Sequence, residues 1–159
     1  RQQAASLQAG ARALERLGAE VADEAVRVRI PGDAGRGYSL LRYTRAPLVV
    51  RAGPTVTWEM ADPFEIHTVT FTGRGRVPPF ILPQPQPSGP PKLLLNPAVV
   101  APTPHKEYAG KGYVNSGILT PLGAPGPHTY SLRFTKSGTY TYWCPIHAAL
   151  GMKGLVVVR

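Results

Sequence analysis

The amino-acid sequence predicts an all-β fold, an antiparallel β-sandwich or barrel, from three observations. Seven or eight short segments show the two-residue alternation, or the β-branched and aromatic enrichment, of strands. Turn residues separate these segments at regular intervals, as is typical of sandwiches and barrels. The chain has 159 residues, 43% of them hydrophobic, which suffices for one domain with a buried core.

The predicted strands form two groups. The first strand, residues 26–30, alternates Val-Arg-Val-Arg-Ile and ends at the turn residues Pro31-Gly32-Asp33. In the second group, Lys136-Ser137-Gly138 predicts a hairpin turn between two strands. The other strands are expected at residues 39–43, 48–51, 55–60, 67–71, 129–134, 139–143 and 155–158.

The N-terminal segment lies outside the strand pattern. Its apolar residues recur at helical spacing along one narrow stripe, which predicts a helix. We therefore divide the chain into an N-terminal helix or linker, residues 1–24, and a β domain, residues 25–159. The stripe consists of Leu7, Leu14, Leu17 and Val21, with Ala4 and Ala11 between them.

A proline-rich segment interrupts the β domain. Residues 78–104 hold ten of the 18 prolines, and proline cannot donate to a strand ladder. We expect a long insertion loop of polyproline character. Phe80, Ile81 and the leucines of residues 93–95 are expected to pack this loop against the domain or another protein.

Charge and cysteine content exclude several classes of protein. The chain carries 18 Lys and Arg against 9 Asp and Glu, a net charge of +9. No cluster of basic residues interleaves with aromatics, so we expect no nucleic-acid partner and favour an acidic protein partner. Cys144 is the only cysteine, which excludes a disulfide framework and a four-cysteine metal site. No apolar run approaches the ~20 residues of a transmembrane segment.

Four side chains form the donor set of a metal site. Cys144, His147 and Met152 follow one another with the spacing Cys-x2-His-x4-Met, and His67 begins a predicted strand. Two imidazoles and a thiolate with a weak axial thioether are the ligands of blue-copper electron-transfer sites. A loop between two strands would bring the first three together, and His67 would complete the set from a neighbouring strand. The combination predicts one copper ion per chain.

At these residues the sequence resembles the cupredoxins, of the plastocyanin, azurin and auracyanin type. The resemblance spans about residues 26–159 and lies mainly in 139–144 (Thr-Tyr-Thr-Tyr-Trp-Cys), His147 and 151–154 (Gly-Met-Lys-Gly). It implies a Greek-key β-sandwich with one Cu(I)/Cu(II) ion bound by His67, Cys144, His147 and Met152. It also implies a one-electron carrier rather than an enzyme.

Two residues are expected to tune the metal through the Cys144 sulfur. Pro145 directly follows Cys144, so Ile146 keeps its backbone N–H, and Thr68 follows His67. The N–H groups of Ile146 and Thr68 are both in a position to donate to the sulfur. Such donors withdraw electron density from the thiolate, which predicts a comparatively high reduction potential.

The resemblance also implies partners and a location. Redox proteins would dock weakly at the His147 end, around an apolar patch formed by residues 145–151. The location would be periplasmic or extracellular, with membrane attachment through preceding sequence as an option. The alternative is the blue-copper domain of a larger nitrite reductase or multicopper oxidase. Those enzymes connect two metal centres through histidines beside the Cys, whereas Trp143 and Pro145 flank Cys144 here.

Overall fold

A computed structural model describes residues 26–51, 53 and 55–159; the predicted N-terminal helix of residues 1–24 lies outside them. The described residues contain twelve strands, one turn of α-helix and one 3-10 helix. The strands are β1 (Val26–Asp33), β2 (Tyr38–Ser39), β3 (Leu48–Val50), β4 (Thr55–Ala61), β5 (Thr70–Phe71), β6 (Ile81–Gln84), β7 (Lys92–Leu95), β8 (Glu107–Tyr108), β9 (Val114–Asn115), β10 (Thr129–Phe134), β11 (Gly138–Trp143) and β12 (Lys153–Val158). The helical elements are α1 (Pro97–Val100) and the 3-10 helix Ala148–Leu150.

The main strands form two five-stranded sheets. The first sheet has the order β2-β1-β4-β10-β8 and the second β3-β12-β11-β5-β9. The fold is therefore mostly β. Each sheet is open, with two edge strands, so the predicted barrel alternative is wrong. Buried side chains alternate regularly with partly buried ones in β4 and with exposed ones in β10, as the two-residue period predicted.

The core lies between the two sheets and is rich in aromatic residues. Trp58 of the first sheet packs on Phe71 and Tyr142 of the second, with ring centroids 5.9 and 5.3 Å apart. Phe71 also contacts Phe134 at 5.6 Å. All four side chains are fully buried. This contact between the inner faces identifies a β-sandwich.

Both sheets are mixed, which corrects the antiparallel prediction. The pairs β1–β4, β3–β12 and β8–β10 are parallel. The predicted hairpin at Lys136-Ser137-Gly138 is also wrong, because β10 lies in the first sheet and β11 in the second. The chain repeatedly crosses from one sheet to the other, so neighbours in sequence are often not neighbours in a sheet.

Two predicted strands are shorter than expected. The segment predicted at 39–43 contributes only the second residue of β2, and the one at 67–71 contributes only β5. Before β5, His67 forms an isolated bridge with Leu119, with N···O distances of 3.1 and 2.7 Å. This bridge holds His67 at the end of the second sheet.

The proline-rich segment contains regular structure. Strands β6 and β7 form a separate antiparallel hairpin, and α1 follows it. The leucines do not pack against the domain, since Leu93 is 67% and Leu95 54% exposed. Their packing against another protein stays a prediction. Asn96 fixes the base of the hairpin instead, because its backbone and side-chain N–H groups donate to Phe80 and Pro79.

No helix among the described residues is long and apolar enough to cross a membrane.

Candidate metal centre

The loop from β11 to β12 carries three of the four predicted ligands. Cys144 directly follows β11, His147 precedes the 3-10 helix, and Met152 directly precedes β12. Backbone hydrogen bonds close this loop on itself: Cys144 N–H donates to Met152, Met152 N–H to His147, and His147 N–H to Cys144. Gly151 permits the closure because it takes a left-handed conformation, with φ of 83°.

His67, Cys144 and His147 converge at the end of the sandwich. Their Nδ1, Sγ and Nδ1 atoms face one another, with Sγ 3.9 Å from His67 Nδ1 and 3.6 Å from His147 Nδ1. One donor atom from each of the three residues lies within 4.8 Å of the others, and all three residues are buried. Met152 is fully buried, and its backbone contacts Cys144 and His147.

The Cys144 sulfur receives polar contacts from its surroundings. The backbone N–H of Thr68 donates to Sγ with an N···S distance of 3.4 Å. Burial raises the pKa of the Cys144 thiol, while hydrogen bonds from Thr68, His147 and Ile146 act in the opposite direction. Metal binding requires the thiolate, so these contacts favour the form that binds.

His67 is held from its other side by a buried carboxylate. Its Nε2 lies 3.2 Å from Oδ2 of Asp62, and both side chains are inaccessible to solvent. Burial alone would raise the pKa of Asp62, but hydrogen bonds from Phe64 N–H, Ser39, Glu65 N–H and His67 lower it below its usual value. Asp62 is therefore an ionised acceptor at neutral pH.

His147 lies near the surface but is largely buried. Only 8% of the residue is accessible, and its Nε2 lies 3.8 Å from Oε2 of Glu65. Burial lowers the pKa of both imidazoles, His67 and His147, although carboxylates at Asp62 and Glu65 partly offset this. Both rings are therefore neutral at neutral pH, which is the form that binds a metal.

The donor set fits a copper ion. Two neutral imidazoles and a thiolate offer nitrogen and soft sulfur ligands, and their donor atoms already face a common point. Hard cations such as Mg²⁺ and Ca²⁺ prefer oxygen ligands, which are not among these three atoms. The surrounding residues are mostly buried and apolar, as is typical of an electron-transfer site.

The two remaining histidines of the chain lie elsewhere. His105 is exposed. His128 is partly buried, and its Nδ1 lies 3.0 Å from the carbonyl oxygen of Thr120. Among the described residues, only one His, Cys and carboxylate cluster has the geometry of a metal site, and neither histidine belongs to it.

Sequence reasoning missed the carboxylates next to the two imidazoles. Asp62 lies in a turn before a proline, where aspartate is ordinary, and Glu65 lies two residues before His67. The only signal for either was the presence of an acid shortly before a predicted histidine ligand.

Comparison with known proteins agrees with this site. The sequence profile of the plastocyanin/azurin family of copper-binding proteins matches residues 32–159. The chain therefore belongs to this family, which confirms its resemblance to the cupredoxins. Its cofactor is copper, and the cluster of His67, Cys144 and His147 suits a single ion.

Individual relatives are moderately similar. A plastocyanin from Scenedesmus fuscus is 29% identical over 134 residues, which cover 84% of this chain and 99% of that protein. A plastocyanin from Sambucus nigra is 50% identical over 38 residues, or 24% of this chain and 37% of that protein.

Solved structures of amicyanin are also similar to the chain. An amicyanin variant in the Cu(I) form is 27% identical, with a TM-score of 0.48, over 89% of this chain and 88% of that one. Amicyanin from Paracoccus versutus is 19% identical, also with a TM-score of 0.48, over 89% of this chain and 87% of that one.

Proposed function

We propose that this cupredoxin is a one-electron carrier whose type 1 copper is bound by His67, Cys144, His147 and an axial Met152. The observation that carries the proposal is the convergence of two ring nitrogens and one sulfur within 4.8 Å of one another. When bound, copper supplies the one-electron couple between Cu(II) and Cu(I). The residues of the chain bind it, orient it and exclude water from it.

The closed ligand loop supports rapid electron exchange. Three backbone hydrogen bonds join Cys144, His147 and Met152, so these residues keep their positions when the charge of the site changes. The bridge between His67 and Leu119 fixes the fourth ligand in the same way. A site that does not rearrange needs little reorganisation when one electron is gained or lost.

Hydrogen bonding to the sulfur supports a comparatively high reduction potential. The Thr68 N–H donates to Cys144 Sγ, and Ile146 contributes a further backbone contact. Both withdraw electron density from the thiolate and favour Cu(I). Redox titration of the copper-loaded protein checks this expectation, and a potential at the low end of the family contradicts it.

We place the docking surface at the His147 end of the sandwich. Pro145 is buried and Ile146 half-buried, so only part of the expected patch is available, with Leu150 exposed by 70%. Phe64 adds a second exposed apolar side chain, 52% accessible, next in sequence to the Glu65 that approaches His147. A small apolar surface of this kind suits a partner that binds weakly and leaves quickly.

The basic charge of the chain predicts a salt-dependent reaction with anions. We expect the rate of oxidation of the Cu(I) protein by hexacyanoferrate(III) to fall as ionic strength rises from about 0.01 to 0.15 M, over which the Debye length shortens from about 30 to 8 Å. The cause is the net charge of +9, which attracts an anionic reactant. Stopped-flow kinetics measure the effect.

A cationic cobalt(III) complex is the matched oxidant for this experiment. The rate at which it oxidises the Cu(I) protein should rise with ionic strength. An anionic reactant that speeds up with added salt would show that the local field at His147, where Glu65 lies, outweighs the net charge. Such a result would contradict an acidic partner.

Copper stoichiometry distinguishes the electron carrier from a domain of a larger copper oxidoreductase. One copper per chain fits the carrier, whereas a second tightly bound copper favours the enzyme.

The same proposal assigns residues 25–159 to one cupredoxin domain and residues 1–24 to an N-terminal helix or linker. It also assigns the protein to a periplasmic or extracellular location, where cupredoxins generally act.

A further inference from the structure

The two oxygens of the Asp62 carboxylate have different hydrogen-bond partners. Its Oδ1 accepts hydrogen bonds from the backbone N–H of Phe64 at 2.9 Å, the backbone N–H of Glu65 at 3.1 Å and the hydroxyl of Ser39 at 2.8 Å. Its Oδ2 faces Nε2 of His67 at 3.2 Å. Three donors therefore fix one oxygen, and the second oxygen is aimed at the imidazole.

Packing around Asp62 leaves little room for it to move. The residue is fully buried, and the backbone of β1 approaches it closely at Gly32. A Cβ at Gly32 would lie 3.0 Å from Cα of Asp62 and 2.6 Å from Cδ of Pro63. Only glycine permits this approach, so the position of the carboxylate is determined by the fold.

We propose that Asp62 is a positioning residue that holds His67 in the tautomer protonated on Nε2. A carboxylate only accepts hydrogen bonds, so Nε2 must carry the proton and Nδ1 must keep its lone pair. Nδ1 is the atom that faces Cys144 Sγ. The inference rests on the proposed function, because it takes His67 to be a copper ligand.

The same carboxylate brings a second negative charge to the site. With the Cys144 thiolate, Asp62 places two buried anions on either side of the His67 ring. Negative charge near a metal favours its more highly charged form, here Cu(II). Asp62 therefore lowers the reduction potential and opposes the effect of the Thr68 N–H.

Asp62→Asn is the sharpest test, because the amide cannot accept hydrogen bonds at both positions as the carboxylate does. The three donors around Oδ1 require the amide oxygen there, which turns the NH₂ group toward His67. Nε2 then has to accept, so the proton moves to Nδ1 and occupies the lone pair that the metal needs. We expect a fall in Cu(II) affinity of about 10–100-fold, as is usual when such a partner is lost.

The primary readout is the tautomer of His67 in the metal-free protein. In ¹⁵N NMR spectra we expect Nε2–H in the wild-type chain and Nδ1–H in Asp62→Asn. An Nδ1–H tautomer in the wild-type chain, or an unchanged Nε2–H tautomer in the variant, overturns the proposal. The matched control is Asp33→Asn, since Asp33 lies at the end of β1 and contacts Arg36, and it should leave both tautomer and affinity unchanged.

A second variant keeps the proposal testable if Asp62→Asn does not fold. Asp62→Ala removes the charge without supplying a donor, so the copper-loaded variant should have a higher reduction potential than the wild type. An unchanged or lower potential overturns the electrostatic role. Failure of the wild-type chain to bind Cu(II) would refute the proposed function. If the chain binds Cu(II) but its metal-free form carries the proton of His67 on Nδ1, only the role of Asp62 is refuted.

Discussion

Cys144→Ser protein exposed to Cu(II) is expected to lack the intense visible absorption of the wild-type copper protein. That absorption arises from charge transfer between a thiolate and Cu(II), and Cys144 is the only cysteine of the chain. A serine hydroxyl has nearly the same shape but is a hard, neutral oxygen donor, which suits copper poorly. Visible absorption reports the loss of the bond between the thiolate and copper, and copper content reports the loss of bound metal. Both quantities are measured after removal of excess metal.

The control for this variant is Met152→Leu. Met152 is assigned the weak axial position, so its replacement should leave the visible absorption and the copper content largely intact and change mainly the reduction potential. Retention of the full visible absorption by Cys144→Ser would show that the thiolate does not bind copper. It would refute the proposed ligand set.

Phe71→Ala is expected to destabilise the metal-free protein by about 3–5 kcal/mol, the usual cost of deleting a buried aromatic ring. Phe71 is fully buried in β5 and packs on Trp58, Phe134 and Tyr142 of the core. Its loss leaves a cavity between the two sheets. The free energy of unfolding, measured by urea denaturation, gives the effect directly.

Phe64→Ala makes the same change on the surface and is the matched control. Phe64 is 52% exposed, so we expect its replacement to change the free energy of unfolding by no more than about 0.5 kcal/mol. Equal effects of the two substitutions would mean that Phe71 is not part of a packed core. The sandwich described above would then be wrong around β5.

The parts of the fold that could be predicted from sequence are those with local patterns. The alternation of residues 129–134 gave the bounds of β10 correctly, because that strand has one buried and one exposed face. Strands β8 and β9 were missed because two residues are too short to show a period. The parallel pairs depend on how the chain crosses between sheets, which is not a local property.

The metal centre, too, was predictable only where its residues form a local pattern. Cys144, His147 and Met152 were recognisable because nine residues hold three donors at a characteristic spacing. Convergence of His67 with two of them depends on the whole sandwich, and the resemblance to a family made it predictable. Asp62 has no distinguishing pattern, since only the folded chain brings its carboxylate to the far side of the His67 ring.

The detached hairpin of β6 and β7 has a consequence for solubility. In the described part of the chain neither strand pairs with a third, so both outer edges present backbone groups that strands of other molecules would otherwise join. Pro83 in β6 and Lys92 in β7 obstruct such pairing, one by lacking an N–H and the other by its charge. Pro83 and Lys92 therefore each hinder the addition of a strand from another molecule to this hairpin, which limits aggregation at its exposed leucines.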